Sequence, residues 1–188
     1  SYEGDTPIFD HFGLEEEMRA AFHRRVELKS GGHIVIEHTE ALVSIDVNTG
    51  RDTGKKDPAK TILRTNLDAA GEIARQLRLR DIGGIIVCDF IDMDDKESRE
   101  KVQQEMKSYL GRDRARTKVY SKSDLGLLEM SRQRVRPILV QMMTEPCTSC
   151  NATVRDLAPE TVFRRIDRAL PRAKSHGETR ANTMLVHP

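Results

Sequence analysis

Two acidic residues directly follow apolar runs that are typical of buried strands. The run in "ALVSIDVNTG" ends in Asp46, and the run in "GGIIVCDFIDMDD" ends in Asp89. A carboxylate beside a buried strand loses hydration on folding, so it needs a cation, hydrogen-bond donors or a proton. Two such carboxylates suit magnesium, which binds oxygen ligands and leaves coordination positions for water and phosphate. The pattern therefore predicts metal-assisted chemistry on a phosphate.

Asn48 and Asp92 extend this pattern, and a simpler interpretation stays open for the acids. Asn48 lies two residues after Asp46, so in a strand it points to the same side and can hydrogen-bond a phosphate or a metal-bound water. Alternatively, an Asp that closes a strand serves as a turn residue or as a helix N-cap. Asp92, which precedes "MDDKES", fits an N-cap especially well.

The segment "CTSC" supplies half of a zinc site. Cys147 and Cys150 can bind one ion, whereas a structural zinc site has four ligands. A second copy of the chain could supply the other two thiolates, which would make zinc part of a dimer interface. A redox pair and two free thiols remain as alternatives. We interpret Cys88, which lies in a presumed buried strand, as core packing.

Basic residues recur at every second position in two segments. The members are Arg112, Arg114, Arg116 and Lys118 in the first segment and Arg132, Arg134 and Arg136 in the second. In a strand each set would share one face, which suits binding to a phosphate backbone. An edge strand that its charges protect from pairing is the alternative interpretation.

Strand and helix patterns alternate along the chain and predict an α/β domain over residues 31–143. The predicted helices are 13–25, 60–80, 95–110 and 159–174, and the predicted strands are 33–38, 41–47, 84–90, 114–120 and 125–130. In such a fold the two acids should meet at strand ends, where ligands of α/β sheets gather.

Composition excludes some classes of protein. The 188 residues include 31 basic and 30 acidic side chains, so net charge does not by itself indicate nucleic-acid binding. No apolar run reaches the roughly 18 residues of a membrane span. Three cysteines are too few for a disulfide scaffold. We therefore expect a protein of the reducing cytoplasm, and the opening without Met suggests a fragment of a longer protein.

Longer motifs carry a family resemblance. "SGGHIVIEHTEALVSIDVNTG", "TNLDAAGEIARQLRLRDIGGIIVCDFIDM", "RDRART", "LGLLEMSRQR" and "EPCTSC" together resemble the catalytic core of the ribonuclease E/G family, in particular its ribonuclease G-like branch. The resemblance implies a magnesium-dependent endoribonuclease that cuts single-stranded RNA. It further implies that Asp46 and Asp89 hold the metal, that Asn48 assists at the scissile phosphate, and that Cys147 and Cys150 form a zinc link between protomers.

The same resemblance implies a domain organisation. It assigns residues 1–30 to the end of an RNase H-like region, 31–143 to a DNase I-like catalytic subdomain with a mixed sheet flanked by helices, 144–155 to the zinc link and 156–188 to the start of a small, helical dimerisation domain. The family's N-terminal OB-fold RNA-binding domain and its 5′-monophosphate sensor have no counterpart in this sequence.

Two functions follow as hypotheses. The first is a magnesium-dependent endoribonuclease for rRNA and tRNA processing and mRNA decay, assembled as a zinc-linked homodimer or a dimer of dimers. In this hypothesis Arg112, Arg114, Arg116, Lys118, Arg132 and Arg134 bind RNA. The second is a non-catalytic RNA-binding and dimerisation module whose acids only cap helices.

Overall fold

Helices and strands alternate along the chain, as the sequence pattern predicts. The computed structural model describes residues 2–4, 6–50, 57–120, 126–147 and 155–175. The elements in chain order are α1 (Ile8–His11), α2 (Leu14–Ala20), β1 (Arg25–Glu27), β2 (His33–His38), β3 (Leu42–Asn48), α3 (Pro58–Leu79), β4 (Gly84–Asp89), α4 (Lys96–Leu110), β5 (Thr117–Val119), β6 (Leu128–Arg132), α5 (Leu139–Met143), β7 (Thr144–Pro146), β8 (Arg155–Leu157) and α6 (Pro159–Ser175).

Residues 21–139 form one compact unit around a mixed sheet. The strand order of this six-stranded sheet is β1-β2-β3-β4-β6-β5. Strands β3 and β4 pair in parallel, and the other neighbouring pairs are antiparallel. A parallel pair needs a crossover connection, which α3 provides here. The predicted α/β class with a mixed sheet is confirmed, whereas the DNase I-like assignment stays a prediction.

One face of the sheet carries the hydrophobic core. Alternate residues of β2, β3, β4 and β6 are buried with the apolar sides of α3 and α4. The core residues of the strands are Ile34, Ile36, Val43, Ile45, Val47, Ile86, Cys88, Leu128 and Met130. Because side chains alternate across a strand, the intervening residues point to the opposite face, where they are exposed or half-buried in β3 and β4. This outer face carries Asp46 and Asp89.

Capping residues fix where the two long helices begin. Asp57 accepts the backbone N–H of Lys60 and precedes Pro58, which suits the first turn of α3. Asp95 accepts the N–H groups of Glu97 and Ser98 at the start of α4. The prediction that Asp92 caps this helix is therefore wrong, because the N-cap of α4 is Asp95, three residues later.

Two predicted elements are shorter than the sequence pattern suggests. The helix predicted over 13–25 ends at Ala20, and Arg25–Glu27 instead pairs with β2 as an edge strand. The strand predicted over 114–120 is reduced to Thr117–Val119. In both places the observed strand is limited to the three residues that pair with its neighbour, β2 for Arg25–Glu27 and β6 for Thr117–Val119.

The second unit comprises residues 1–20 and 140–188. Its hairpin of β7 and β8 is braced by Arg155, whose Nε and Nη2 donate to Oγ1 and the carbonyl oxygen of Thr144, each at 2.7 Å. In α6, Arg168 donates to the Glu15 carboxylate of α2 at 2.9 Å. The helix also exposes an apolar side chain, Phe163, at 68% of its surface. None of the described helices has the length and apolar character to span a membrane.

Candidate active site

Asp46 and Asp89 lie side by side on the outer face of the sheet. They are register partners in the parallel pair of β3 and β4, and each is the last or nearly the last residue of its strand. Neighbouring strands lie about 4.8 Å apart, and register partners project to the same face. Both side chains are exposed. The chain therefore presents two carboxylates to solvent within reach of one ion.

Asn48 belongs to the same cluster. It follows Asp46 by two residues on the same face, and its Nδ2 donates to Asp46 Oδ2 at 2.7 Å. This bond orients one oxygen of the Asp46 carboxylate. The amide oxygen of Asn48 belongs to the same side-chain amide as the donating nitrogen. The structure thus brings together the three residues that the sequence singles out, Asp46, Asn48 and Asp89.

The helix-cap interpretation does not apply to the acid pair. The N-caps of α3 and α4 are Asp57 and Asp95, and hydrogen bonds from the first turn of each helix lower the pKa of each of these caps. Asp46 lies two residues before the end of β3 and Asp89 is the last residue of β4, and neither directly precedes a helix. Asp92 is exposed in the segment between β4 and α4.

Two tight turns hold the Asn48 end of β3. A Cβ added to Gly32 would overlap the carbonyl oxygen of Asn48, and a Cβ added to Gly50 would overlap the carbonyl oxygen of Gly31. The turn before β2 is further held by α3, because the backbone N–H of Ser30 donates to Asp68 Oδ2 at 2.7 Å. Glycine is needed where two backbones approach this closely. The "SGGH" and "NTG" motifs therefore position Asn48.

Asn66 fixes the chain just after Asp89. This fully buried α3 side chain donates from Nδ2 to the carbonyl oxygen of Ile91 at 2.8 Å and accepts the Ile91 N–H at 3.1 Å. The two bonds anchor the segment that leaves β4. Sequence reasoning did not find this residue, although an Asn on the apolar side of a helix is a signal of such a role.

Replacing Asn66 by Ala is expected to lower the free energy of unfolding by about 2 to 4 kcal/mol, because two buried hydrogen bonds are lost and the Ile91 groups lose their partners. Urea unfolding followed by circular dichroism measures the change. Asn66→Asp should lose at least as much, because its carboxylate would be buried and one of its oxygens would face the Ile91 carbonyl oxygen without a donor between them. A loss below about 1 kcal/mol for Asn66→Ala would contradict the anchoring role.

The predicted RNA-binding residues fall into two groups. Arg112, Arg114, Arg116, Lys118 and Arg134 are exposed. Lys118 is the register partner of Ser131, which is in turn the register partner of Ile85. Lys118 therefore lies on the outer face near the beginning of β4, whereas Asp89 lies at the end of that strand. Together with Arg116 it lines a shallow groove on that face. Arg116 and Lys118 therefore share the outer face of the sheet with the acid pair, whereas Arg112, Arg114 and Arg134 are known only to be exposed.

Arg132 is different, because its side chain is only 4% exposed. Its Nε donates to Asp113 at 2.7 Å and its Nη1 donates to the carbonyl oxygen of Ile82 at 2.7 Å, with Asp81 at 3.3 Å. These bonds give Arg132 a structural role in place of the predicted contact with RNA.

The chemistry of the donor set fits magnesium. Magnesium binds few protein carboxylates and keeps several waters, so Asp46, Asp89 and the amide oxygen of Asn48 suffice for it. Zinc would require a richer set of ligands. Among the described residues no cluster of three or more His, Cys, Asp or Glu side chains could hold a metal ion. The acid pair and Asn48 therefore offer the kind of oxygen donors that a hard cation would use, and magnesium binding at them stays a prediction.

The cysteines occupy different environments. Burial raises the pKa of Cys88 to about 12, which suits the predicted core packing. Cys147 is half-buried and directly follows β7. Cys150 lies outside the described residues, so the geometry of a zinc link stays a prediction.

Comparison with known proteins places the chain in a family. The family model described as "Ribonuclease E/G family" matches residues 1–135. The chain belongs to the ribonuclease E/G family. Relatives of both names occur at similar identity, so the ribonuclease G-like branch stays a prediction.

Three relatives illustrate the range of the match. A chloroplastic ribonuclease E/G-like protein of Arabidopsis thaliana is 47% identical over 96% of this chain and 18% of its own length. Ribonuclease G of Escherichia coli is 43% identical over 91% of this chain and 35% of its own length. Ribonuclease E of Haemophilus influenzae is 48% identical over 82% of this chain and 17% of its own length. The chain thus spans about a third or less of these relatives.

Proposed function

We propose that this chain carries the cutting centre of a magnesium-dependent endoribonuclease that hydrolyses phosphodiester bonds in single-stranded RNA. The observation that carries the proposal is the exposed pair of Asp46 and Asp89 in register on parallel strands, with Asn48 bonded to Asp46. Membership of the ribonuclease E/G family supports RNA as the substrate.

Each residue of the cluster has a distinct task. Asp46 and Asp89 would hold the magnesium ion, and Asn48 keeps the Asp46 carboxylate oriented while its own amide faces the scissile phosphate. When bound, magnesium supplies charge neutralisation on the phosphate and a water of lowered pKa. Exposed cations such as Arg116 and Lys118 would bind flanking phosphates and release their counterions.

The proposal is tested by cleavage of a 5′-labelled, AU-rich single-stranded RNA with magnesium and with EDTA. Internal cuts that require the metal are expected. Magnesium should also raise the melting temperature of the chain, and Asp89→Asn should remove this rise, because an ion that binds only the folded state stabilises it. A non-catalytic RNA-binding module would bind the RNA, leave it intact and give no magnesium-dependent rise.

The zinc link is a second part of the proposal. Strands β7 and β8 pair in an antiparallel hairpin, and residues 147–154 connect them. Cys147 and Cys150 both lie in this connection, where they could bind one zinc ion together with the same pair of a second protomer. Exposed Phe163 on α6 supports a further apolar contact between copies. Dimers could pair again into a dimer of dimers.

Replacing Cys147 and Cys150 by Ser, or chelating zinc, is expected to convert the dimer to a monomer, because the shared ion holds the protomers together. Sedimentation equilibrium measures the mass. Cys88→Ala should keep the dimer, since that thiol lies in the core. An unchanged dimer mass in the double variant would contradict the link.

Roles in rRNA and tRNA processing and in mRNA decay are proposed on the family alone. The cytoplasmic location stays a prediction, because the relatives include bacterial proteins and one named as chloroplastic.

A further inference from the structure

The turn that joins β1 to β2, residues 28–32, lies against the end of β3 that carries Asn48. Two backbone bonds close this 28–32 turn, from the N–H of Leu28 to the carbonyl oxygen of Gly32 at 2.8 Å and from the N–H of Gly31 to the carbonyl oxygen of Leu28 at 3.0 Å. Strand β2 begins directly after the turn and pairs with β3 as far as Asn48. A shift of the turn would therefore displace Asn48.

One turn of α3, the helix that packs on the core face of the sheet, contacts the 28–32 turn. The half-buried Asp68 carboxylate accepts the backbone N–H of Ser30 at 2.7 Å. A Cβ added to Gly32 would lie only 3.0 Å from the methyl group of Thr65, which is buried. Within the part of the chain that the structure describes, the buried Ser30 hydroxyl has no hydrogen-bond partner. The bond from its N–H to Asp68 therefore ties Ser30 to α3.

The same turn of α3 also holds the strand that carries Asp89. Asn66, two residues before Asp68, bonds the N–H and the carbonyl oxygen of Ile91 just after β4 ends. The ends of β3 and β4 are thus fixed from one helical turn. Within the described ranges, no third acidic, Cys or His side chain joins the acid pair as a possible metal ligand. Any effect of Asp68 on the acid pair therefore passes through the chain.

We propose that Asp68 is a positioning residue for RNA cleavage, which holds the 28–32 turn so that Asn48 keeps its bond to Asp46. This inference rests on the proposed function. Without the Asp68 bond, the Ser30 N–H would bind water and the turn would no longer fix the backbone of Asn48. The side-chain amide of Asn48 bonds Asp46 Oδ2 at 2.7 Å. A displacement of about 1 Å at a reacting centre can cost roughly 100-fold in rate, so a small shift of this amide has a large effect.

Replacing Asp68 by Ala is expected to lower kcat for cleavage of the single-stranded RNA roughly 10-fold and to leave KM within about 2-fold, because a displaced Asn48 impairs the chemical step. RNA binding should persist, since the exposed cations Arg116 and Lys118 are unchanged. Asp68→Asn should restore most of the rate, because its amide oxygen still accepts the Ser30 N–H. An unchanged kcat in Asp68→Ala would overturn the proposal.

The matched control is Thr39→Val. Thr39 Oγ1 accepts the backbone N–H of Leu42 at 3.0 Å in the turn that joins β2 to β3, at the opposite end of these strands from Asn48. The variant loses a side-chain bond to a turn of the same sheet but should keep kcat and KM. Melting followed by circular dichroism shows that each variant is folded at the assay temperature. Equal losses of kcat in Thr39→Val and Asp68→Ala would overturn the proposal.

A double-mutant cycle separates positioning from a general loss of stability. If Asp68 acts through Asn48, then adding Asp68→Ala to Asn48→Ala should lower kcat by less than about 2-fold, because the two changes affect one interaction. Fully additive losses would mean that Asp68 acts elsewhere, and the proposal would fail.

An NMR measurement that needs no cleavage separates this inference from the proposed function. Proton–nitrogen spectra report the side-chain amide of Asn48, which is bonded to Asp46. Asp68→Ala should move these signals toward those of a free amide, whereas Asp68→Asn and Thr39→Val should leave them in place. The same movement in a chain that cuts no RNA would support the positioning of Asn48 and contradict the nuclease. Unchanged Asn48 signals in Asp68→Ala would overturn the positioning role, whether or not the chain cuts RNA.

Discussion

Replacing Asp89 by Asn is expected to reduce magnesium-dependent RNA cleavage by at least about 100-fold, because a neutral amide binds a hard cation poorly and charge at the reacting phosphate is then left uncompensated. Asp46→Asn should have an effect of the same size. It also changes the partner of Asn48 Nδ2 from a carboxylate to an amide oxygen. Both variants should fold, since both side chains are exposed on the outer face.

The matched control is Glu37→Gln, which removes an exposed carboxylate from the same face of the neighbouring strand β2. Its cleavage rate should equal that of the unchanged chain. The measurement is the initial rate on a labelled single-stranded RNA over a range of magnesium concentrations. Full activity in either Asp variant would rule out the acid pair as the metal site. Equal losses in all three variants would show a general effect of charge on the face.

The acid pair could be predicted from the sequence because its signals are local. Each Asp ends an apolar run, and the intervening helical stretch implies a parallel crossover that brings strand ends together. The register that sets Asp46 opposite Asp89 depends on which residues of each strand are buried, and alternation predicts this too. The central strands β2, β3 and β4 therefore appear within one or two residues of their predicted bounds.

Features that depend on distant partners could not be predicted in the same way. Asn66 acts on Ile91, which lies 25 residues further along the chain. Arg132 was expected to face RNA because it alternates with Arg134, but its partners Asp81 and Ile82 lie 51 and 50 residues away. The alternating pattern of residues predicts the face of the strand to which a side chain points. It does not predict which residues pack against that face. The burial of Arg132 follows only from the packed sheet.

The ion pairs of Arg132 lead to the second large effect. Asp113→Asn is expected to lower the free energy of unfolding by about 3 to 5 kcal/mol at pH 7, because it removes the carboxylate from a buried pair and leaves the guanidinium undercompensated. Asp113 and Arg132 side chains are each 4% exposed, and the Arg132 guanidinium binds both oxygens of Asp113. Urea unfolding at pH 7 measures the loss.

The stabilisation of the fold by Asp113 is also expected to depend on pH. Burial alone would raise the pKa of Asp113, but hydrogen bonds from Arg132 and from the backbone N–H of Ala115 lower that pKa below its ordinary value. In the unfolded chain the pKa of an Asp is about 3.9. The stabilisation from Asp113 is therefore complete above about pH 4 and is lost as the pH falls through the lower pKa of the folded state.

The difference in stability between the unchanged chain and Asp113→Asn should consequently shrink as the pH falls below about 4, because protonated Asp113 and Asn are both neutral. Asp92→Asn, which changes an exposed carboxylate outside the ion-pair cluster, should show no such convergence. A gap that stays constant from pH 7 to about pH 3 would mean that the charge of Asp113 does not stabilise the fold. Convergence would place the stabilisation in the buried charge pair that joins β6 to the segments before β4 and β5.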